Sequence, residues 1–385
     1  MGNPAKRVTR DGVRWYNEAY PPMKAAIVGL RHSGKTTLFN ALTGGVAEVG
    51  SYSSALKPNI GVRKVDDPRL DVLARLTRSA RIVPAEVNLS DVNYVPRDSQ
   101  EGGGISAEVL GYLSTAEALL QVIRCFEDPS VPHPLGSVDP VRDVASFDLE
   151  LTFSDLGVLE RRLLRLKDKM KSAKTPERAA QQTELTLLER IKTELERDVP
   201  IRSQSLTPDE RKLLSGYQFL TAKPMLLVAN VGEAELSRAA DIEQELSRQY
   251  PGFTVLSVCA KLEMELLELS AEEAKEYRDA LGTTTGAIEH VVSESLRLLG
   301  LVSFLTTGPD ETRAWTVPQG TPAPQAAGKV HSDIEKGFIR AEVITYDDFV
   351  SCGTEHEARK RGVLRLEGKD YIVQDGDVIN FLFNL

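Results

Sequence analysis

Cysteine is scarce. Cys125, Cys259 and Cys352 are the three in a chain of 385 residues. Their odd number and wide spacing fit neither a disulfide framework nor a metal-binding pattern, so reduced cytosolic thiols are expected. No window holds the roughly 18 apolar residues that a membrane span needs. The first 22 residues lack the apolar core of a secretory signal, and Lys6 breaks the myristoylation pattern. An excess of positive charge is missing too. Lysine and arginine number 47 against 56 aspartates and glutamates, a net charge of −9. Any contact with nucleic acid must therefore come from a local basic patch.

What remains is an ordinary globular composition, with 41% apolar and 27% charged residues. At about 150 residues per domain, the length predicts two or three domains. Residues 1–22 are polar and read as an irregular N-terminal extension, or as a stretch upstream of a true start at Met23. A buried strand is expected at 24–29 (KAAIVG), and then a helix closed by Gly44 and Gly45. Further short apolar runs at 86–91, 119–126, 224–230 and 253–258 alternate with helical patterns. That alternation predicts the α/β class with a parallel sheet.

A helical insertion interrupts it at about 148–200. Leu149, Leu156, Leu163 and Met170 recur every seven residues, with Leu159 and Leu166 as a second seam. Thr175 and Pro176 break the helix, so an antiparallel hairpin is predicted. Basic residues crowd this hairpin, among them Arg165, Lys167, Lys169, Lys171 and Lys174. They read either as a solvated helical face or as a contact for RNA phosphates. Beyond residue 300 the composition shifts, and strand-like runs at 339–344, 363–366, 371–373 and 378–383 predict a separate small α+β domain.

Chemistry is concentrated at one motif. Gly29, Gly34, Lys35 and Thr36 satisfy G-x-x-x-x-G-K-[ST] between a predicted strand and a predicted helix. Such a loop curls main-chain N–H groups around phosphate oxygens, and the helix N-terminus adds positive potential. Arg31, His32, Ser33 and Thr37 complete the cradle. Lys35 is expected to reach the β- and γ-phosphates and to offset transition-state charge, and Thr36 to ligate Mg²⁺. Asp91 ends its strand as a partner for Mg²⁺ through water. Ligands of such sheets sit at the carboxyl ends of the strands. Asn230, Val231 and Glu233 therefore form a base-reading loop, and Cys259, Ala260 and Lys261 a further wall. Guanine-reading loops of the N-K-x-D type have a lysine and an aspartate where this chain has Val231 and Glu233. The longer carboxylate fits guanine poorly, so ATP is expected over GTP.

These segments resemble one family. The match runs through 57–73 (KPNIGVRKVDDPRLDVL), 122–133 (VIRCFEDPSVPH), the NVGE loop at 230–233 and 259–269 (CAKLEMELLEL). It is densest at 303–348 and 364–381 (LRLEGKDYIVQDGDVINF). Residues 23–385 are similar throughout to the YchF/Obg-like ATPases. The resemblance implies a Ras-like P-loop domain over 23–300 carrying the helical hairpin. It also implies a β-grasp, TGS-like domain over 301–385. The implied protein is cytoplasmic and binds the ribosome or its RNA, not DNA or membranes. It prefers ATP and hydrolyses it slowly; the sequence leaves the oligomeric state open, with a monomer favoured.

Two switch positions depart from the family. Ala55 stands where a threonine is expected, and Tyr94 where the D-x-x-G motif has glycine. Val95 falls where many switch GTPases keep a water-orienting glutamine, a hydrophobic residue there being the family's own habit, which leaves His32 as the one candidate for that role. Gly102, Gly103 and Gly104 predict a flexible second switch. A hydrolysis-deficient adaptor is the alternative these departures raise.

Overall fold

The computed structural model describes residues 23–45, 47, 58–92, 105–171, 175–281 and 286–384. The expected extension at 1–22, the switch residues Ala55, Tyr94 and Val95, the glycines at 102–104 and Lys174 lie outside them.

Along the chain, β1 (Met23–Val28), α1 (Lys35–Thr43), β2 (Asn59–Lys64), α2 (Pro68–Thr77), β3 (Ile82–Val83), β4 (Glu86–Asp91), α3 (Ala107–Thr115) and β5 (Ala118–Cys125) come first. The helices α4 (Pro140–Met170), α5 (Thr175–Leu195) and α6 (Pro208–Leu214) follow. Then come β6 (Met225–Val231), α7 (Ala239–Gln249), β7 (Thr254–Val258), α8 (Ala260–Leu266), α9 (Ala271–Leu281) and α10 (Ala287–Leu298). The C-terminal stretch adds β8 (Leu301–Thr307), β9 (Thr312–Pro318), α11 (Ala323–Val330), α12 (Ser332–Lys336), β10 (Phe338–Thr345), β11 (Arg365–Glu367) and β12 (Asp377–Phe383), with short helices before β11.

The fold is mixed α/β, and its contacts divide it into two compact units. Lys24–Gly61 and Asn88–Ser295 form one; Val62–Val87 and Leu296–Leu385 group in the other. No single boundary near residue 300 expresses that grouping, because the chain changes unit within β2 and again within β4.

A six-stranded sheet of order β2-β4-β1-β5-β6-β7 organises the unit that carries the G-x-x-x-x-G-K-[ST] loop. β1, β5, β6 and β7 pair in parallel, with Ile27 opposite Leu120, Ile123 opposite Ala229 and Ala229 opposite Ser257. β5 and β6 are buried along their whole length, which suits strands covered on both faces. Asp139 starts α4 earlier than the heptads predict: its carboxylate accepts from the Arg142 N–H, and Pro140 follows at the first helical position. The first half of α4 lies on this core through Val144, Phe147 and Leu151. Leu149 is consequently turned outward, 41% exposed, and is not part of the hairpin seam. The seam buries Leu159, Leu163 and Leu166 against Leu185, Leu188 and Ile191 of α5, with Leu156 and Met170 packed on it as half-buried members. Buried Asp155 ties α4 to the entry of β6, accepting from the N–H groups of Leu220 and Thr221 and from the Thr221 hydroxyl at 2.7–2.9 Å.

The other unit is built on a sheet of order β11-β10-β12-β8-β9-β3. The β8–β9 hairpin and the β10–β12 pair are antiparallel, and β12 joins β8 in parallel. Phe304, Phe338 and Phe381 meet in its core beneath Ala326 and Ala327 of α11. Residues 371–373, expected as a strand, contribute one isolated bridge, Ile372 to Pro322. Hydroxyl bonds of 2.7–2.8 Å among Thr77, Ser79, Thr307 and Thr312 fasten the end of α2 to β8 and β9. Arg69 adds an ion pair to Asp375 at 2.8 Å. These bonds explain why Val62–Val87 groups with the C-terminal strands.

Candidate functional site: a phosphate loop at the end of β1

Gly29 and Gly34 bracket the loop, and neither tolerates a side chain. Both have left-handed backbones, φ +140° and +91°. A Cβ on Gly29 would lie 2.3 Å from the Val122 carbonyl oxygen, and one on Gly34 would lie 2.1 Å from Asn230 Nδ2. Only glycine satisfies both the conformation and the close approach. Gly34 then caps α1 without any side-chain acceptor, and the first turn of α1 holds no acidic residue. The N–H groups at that end are left for an anion, which the helix dipole favours.

Lys35 is 4% exposed, and its Nζ donates to the Leu30 carbonyl at 2.9 Å. Burial brings its pKa down to about 8, against the opposing pull of Asp91. Thr36 Oγ1 donates to Asp91 Oδ2 at 2.7 Å, and Asn59 Nδ2 donates to the same oxygen at 3.2 Å. The other carboxylate oxygen, Asp91 Oδ1, is buried and meets no hydrogen-bond partner among the described residues; Ser33 Oγ is in the same position. An unsatisfied buried carboxylate oxygen beside a threonine hydroxyl is a donor set suited to a hydrated Mg²⁺. Thr37 is half-buried in the first turn of α1, and Arg31 is exposed on the loop.

The loop is held from its neighbours. Asn230, 5% exposed at the carboxyl end of β6, donates from Nδ2 to the Ser33 carbonyl at 2.8 Å and accepts the Ala260 N–H at 3.1 Å. These two bonds narrow what is left for a base. One N–H of the Asn230 amide is committed to the phosphate loop, so the amide has a single N–H left for a base. The Ala260 N–H is used by Asn230 in the same way. Val231 is buried within β6, and Cys259 is a buried thiol whose pKa is raised by burial. Glu233 is instead exposed and pairs with Lys261 at 3.3 Å. His32, with φ +63°, donates from Nδ1 to the Pro132 carbonyl at 2.9 Å, so its ring is tethered and does not hang free in solvent.

The basic residues of the hairpin are not a bare positive tip. Lys167 pairs with Glu189 at 2.9 Å and Lys171 with Asp168 at 2.8 Å. The acidic partner for Lys167 comes from α5, a different helix. Arg165 and Lys169 are exposed on α4. Sequence reading missed Asn59 and Arg124. For Arg124 a signal existed: a charged residue in the middle of an otherwise apolar strand.

Comparison with known proteins places this arrangement. A curated "Ribosome-binding ATPase YchF" of Haemophilus ducreyi is 41% identical over 365 residues, covering 94% of this chain and 99% of the relative. The chain belongs to the YchF family. A Bacillus subtilis protein of the same name is 38% identical over 368 residues, again 94% of this chain and 100% of the relative. The solved YchF GTPase of Schizosaccharomyces pombe superposes with a TM-score of 0.81 at 29% identity, covering 96% of this chain and all of that one. A family model for the C-terminal part of YchF GTPases, described as a protein of unknown function (DUF933), matches residues 301–384. The resemblance read from the sequence is thus shown across both units of this YchF family member.

Proposed function

We propose that this YchF family member binds ATP with Mg²⁺ at residues 29–37, hydrolyses it slowly and acts on the ribosome. The observation that carries the reading is the uncapped start of α1, with Lys35 buried beside it and Asp91 Oδ1 left without a partner. Thr36 and, through water, Asp91 would hold the Mg²⁺, which supplies positive charge to the phosphate oxygens. Lys35 supplies a second positive charge at a site shielded from solvent, where it counts for more than in water.

Preference for adenine rests on Val231 and Glu233. Curated relatives are called ATPases and the fission-yeast structure a GTPase, so the base is decided by measurement. Calorimetry with ATP and GTP at millimolar Mg²⁺ tests it, and equal affinities would remove the preference. Single-turnover hydrolysis with and without ribosomes tests the enzyme reading. Turnover no faster than in Lys35→Ala would favour the hydrolysis-deficient adaptor, which Ala55 and Tyr94 motivate.

Support for a ribosomal partner comes from the relatives' name and from the exposed Arg165 and Lys169 of α4. Charge reversal of this pair is expected to weaken co-sedimentation with ribosomes and flatten its salt dependence. The reading extends to a cytoplasmic monomer whose partner is RNA, not DNA, with a TGS-like domain at 301–385. No helix among the described residues is long and apolar enough to cross a membrane.

A further inference from the structure

A buried arginine lies one strand away from the phosphate loop. Arg124, 2% exposed near the end of β5, stands opposite Asn230 in the β5–β6 register. Its guanidinium is satisfied by main-chain carbonyls: Phe126 at 3.1 Å, Val131 at 2.8 Å and Asp128 at 3.3 Å, with the Phe126 ring 4.6 Å away. Among the described residues no carboxylate forms an ion pair with it. Arginine's planar fork can gather three carbonyls into one turn where lysine's single ammonium cannot. The turn is pinned again at its far end. His133 accepts the Leu135 N–H on Nδ1 and donates from Nε2 to buried Asp143. Between these anchors sits Pro132, whose carbonyl accepts from the His32 ring.

His32 needs such an anchor. A non-glycine residue at φ +63° pays a steric penalty and persists where its surroundings hold it. Its neighbour Ser33 is gripped through its carbonyl by Asn230. Two consecutive residues of the loop are therefore held from two adjacent strands, β5 by way of residues 126–133 and β6 directly.

We propose that Arg124, the turn it organises and His32 form a clamp that holds the phosphate loop in its receptive shape. His32 is then a positioning residue, not one that orients the attacking water. This deepens the ATP-binding reading and rests on it.

The test combines nucleotide affinity, the rate of hydrolysis of bound ATP, and the tautomer of the His32 ring in ligand-free protein. His32→Ala is expected to weaken ATP binding about tenfold while changing the hydrolysis rate of bound ATP by less than about twofold. His32→Asn restores binding, because asparagine tolerates the left-handed region and its Nδ2 can donate to Pro132. Arg124→Lys is expected to weaken ATP binding to a similar extent and to combine non-additively with His32→Ala. In nitrogen-15 spectra of the five histidines, the signal lost in His32→Asn should report an Nδ1-protonated ring, and Arg124→Lys should shift it toward the other tautomer. Arg124 is buried, so its variant is first checked for a cooperative melt; the exposed His32 variants and the wild-type tautomer decide the matter without it. Wild-type affinity in His32→Ala, a hydrolysis rate that falls with affinity intact, or an Nε2-protonated ring in the wild type would each overturn the clamp. Failure of the wild type to bind ATP would instead overturn the nucleotide reading beneath it.

Discussion

Thr36 and Asp91 share one hydrogen bond of 2.7 Å, from the threonine hydroxyl to Oδ2, and it leaves the other carboxylate oxygen buried and unsatisfied. The pair joins the first turn of α1 to the last residue of β4. Asp91→Ala is expected to raise the Mg²⁺ concentration needed for ATP binding by about 10–100-fold, the usual cost of losing a residue that acts on a metal through an intermediary. ATP titrations at stepped Mg²⁺ measure it; an unchanged requirement would detach Asp91 from the metal.

Lys35 sets a pH dependence. Its folded pKa near 8 lies below the ordinary 10.5 because burial disfavours the cation. Between those values the unfolded chain binds more protons than the folded one, so the Lys35 contribution to stability rises with pH over that window. Below pH 8 the buried cation imposes its full penalty, on the order of 3 kcal/mol. Urea unfolding of ligand-free protein should therefore show a rise from pH 8 to 10.5, relative to Lys35→Met. ATP affinity should move the other way, falling above pH 8 as the cation that faces the phosphates is lost.

Asn230 joins Ser33 to Ala260, so its removal leaves a buried carbonyl and a buried N–H without partners. Asn230→Ala is expected to cost about 2–4 kcal/mol, read by calorimetric melting of ligand-free protein. A melt within about 0.5 kcal/mol of wild type, the range usual for neutral surface changes, would mean that the two bonds contribute little.

Glu233 is held toward Lys261 at 3.3 Å. Glu233→Asp shortens the carboxylate, breaks that pair and supplies the acceptor length that guanine favours. GTP binding should strengthen by about tenfold relative to ATP, the worth of one hydrogen bond to a charged group. Unchanged relative affinities would locate base choice elsewhere.

Much of the site was legible because its chemistry is local. Gly29, Gly34, Lys35 and Thr36 fall within eight consecutive positions, and a strand before and a helix after them are enough to orient a phosphate cradle. The heptads likewise announced the α4–α5 hairpin, because a repeated apolar seam requires a covering partner. They failed at Leu149, where the first half of α4 buries Phe147 and Leu151 on the sheet. The pairing of the hairpin's basic residues was illegible for a similar reason, since Glu189 reaches Lys167 from a different helix.

The one-dimensional pattern by itself determined the G-x-x-x-x-G-K-[ST] loop between a strand and a helix, the mixed α/β class and the family, all of which depend on neighbours a few residues apart or on long runs of similarity. Tertiary structure alone decided that Asn230 grips the phosphate loop, that Val62–Val87 groups with strands more than 200 residues later, and that Arg124 shapes the turn tethering His32. Those outcomes turn on which polar groups are sealed from water together. A buried donor takes the nearest acceptor the fold supplies, and sequence distance has no part in that choice.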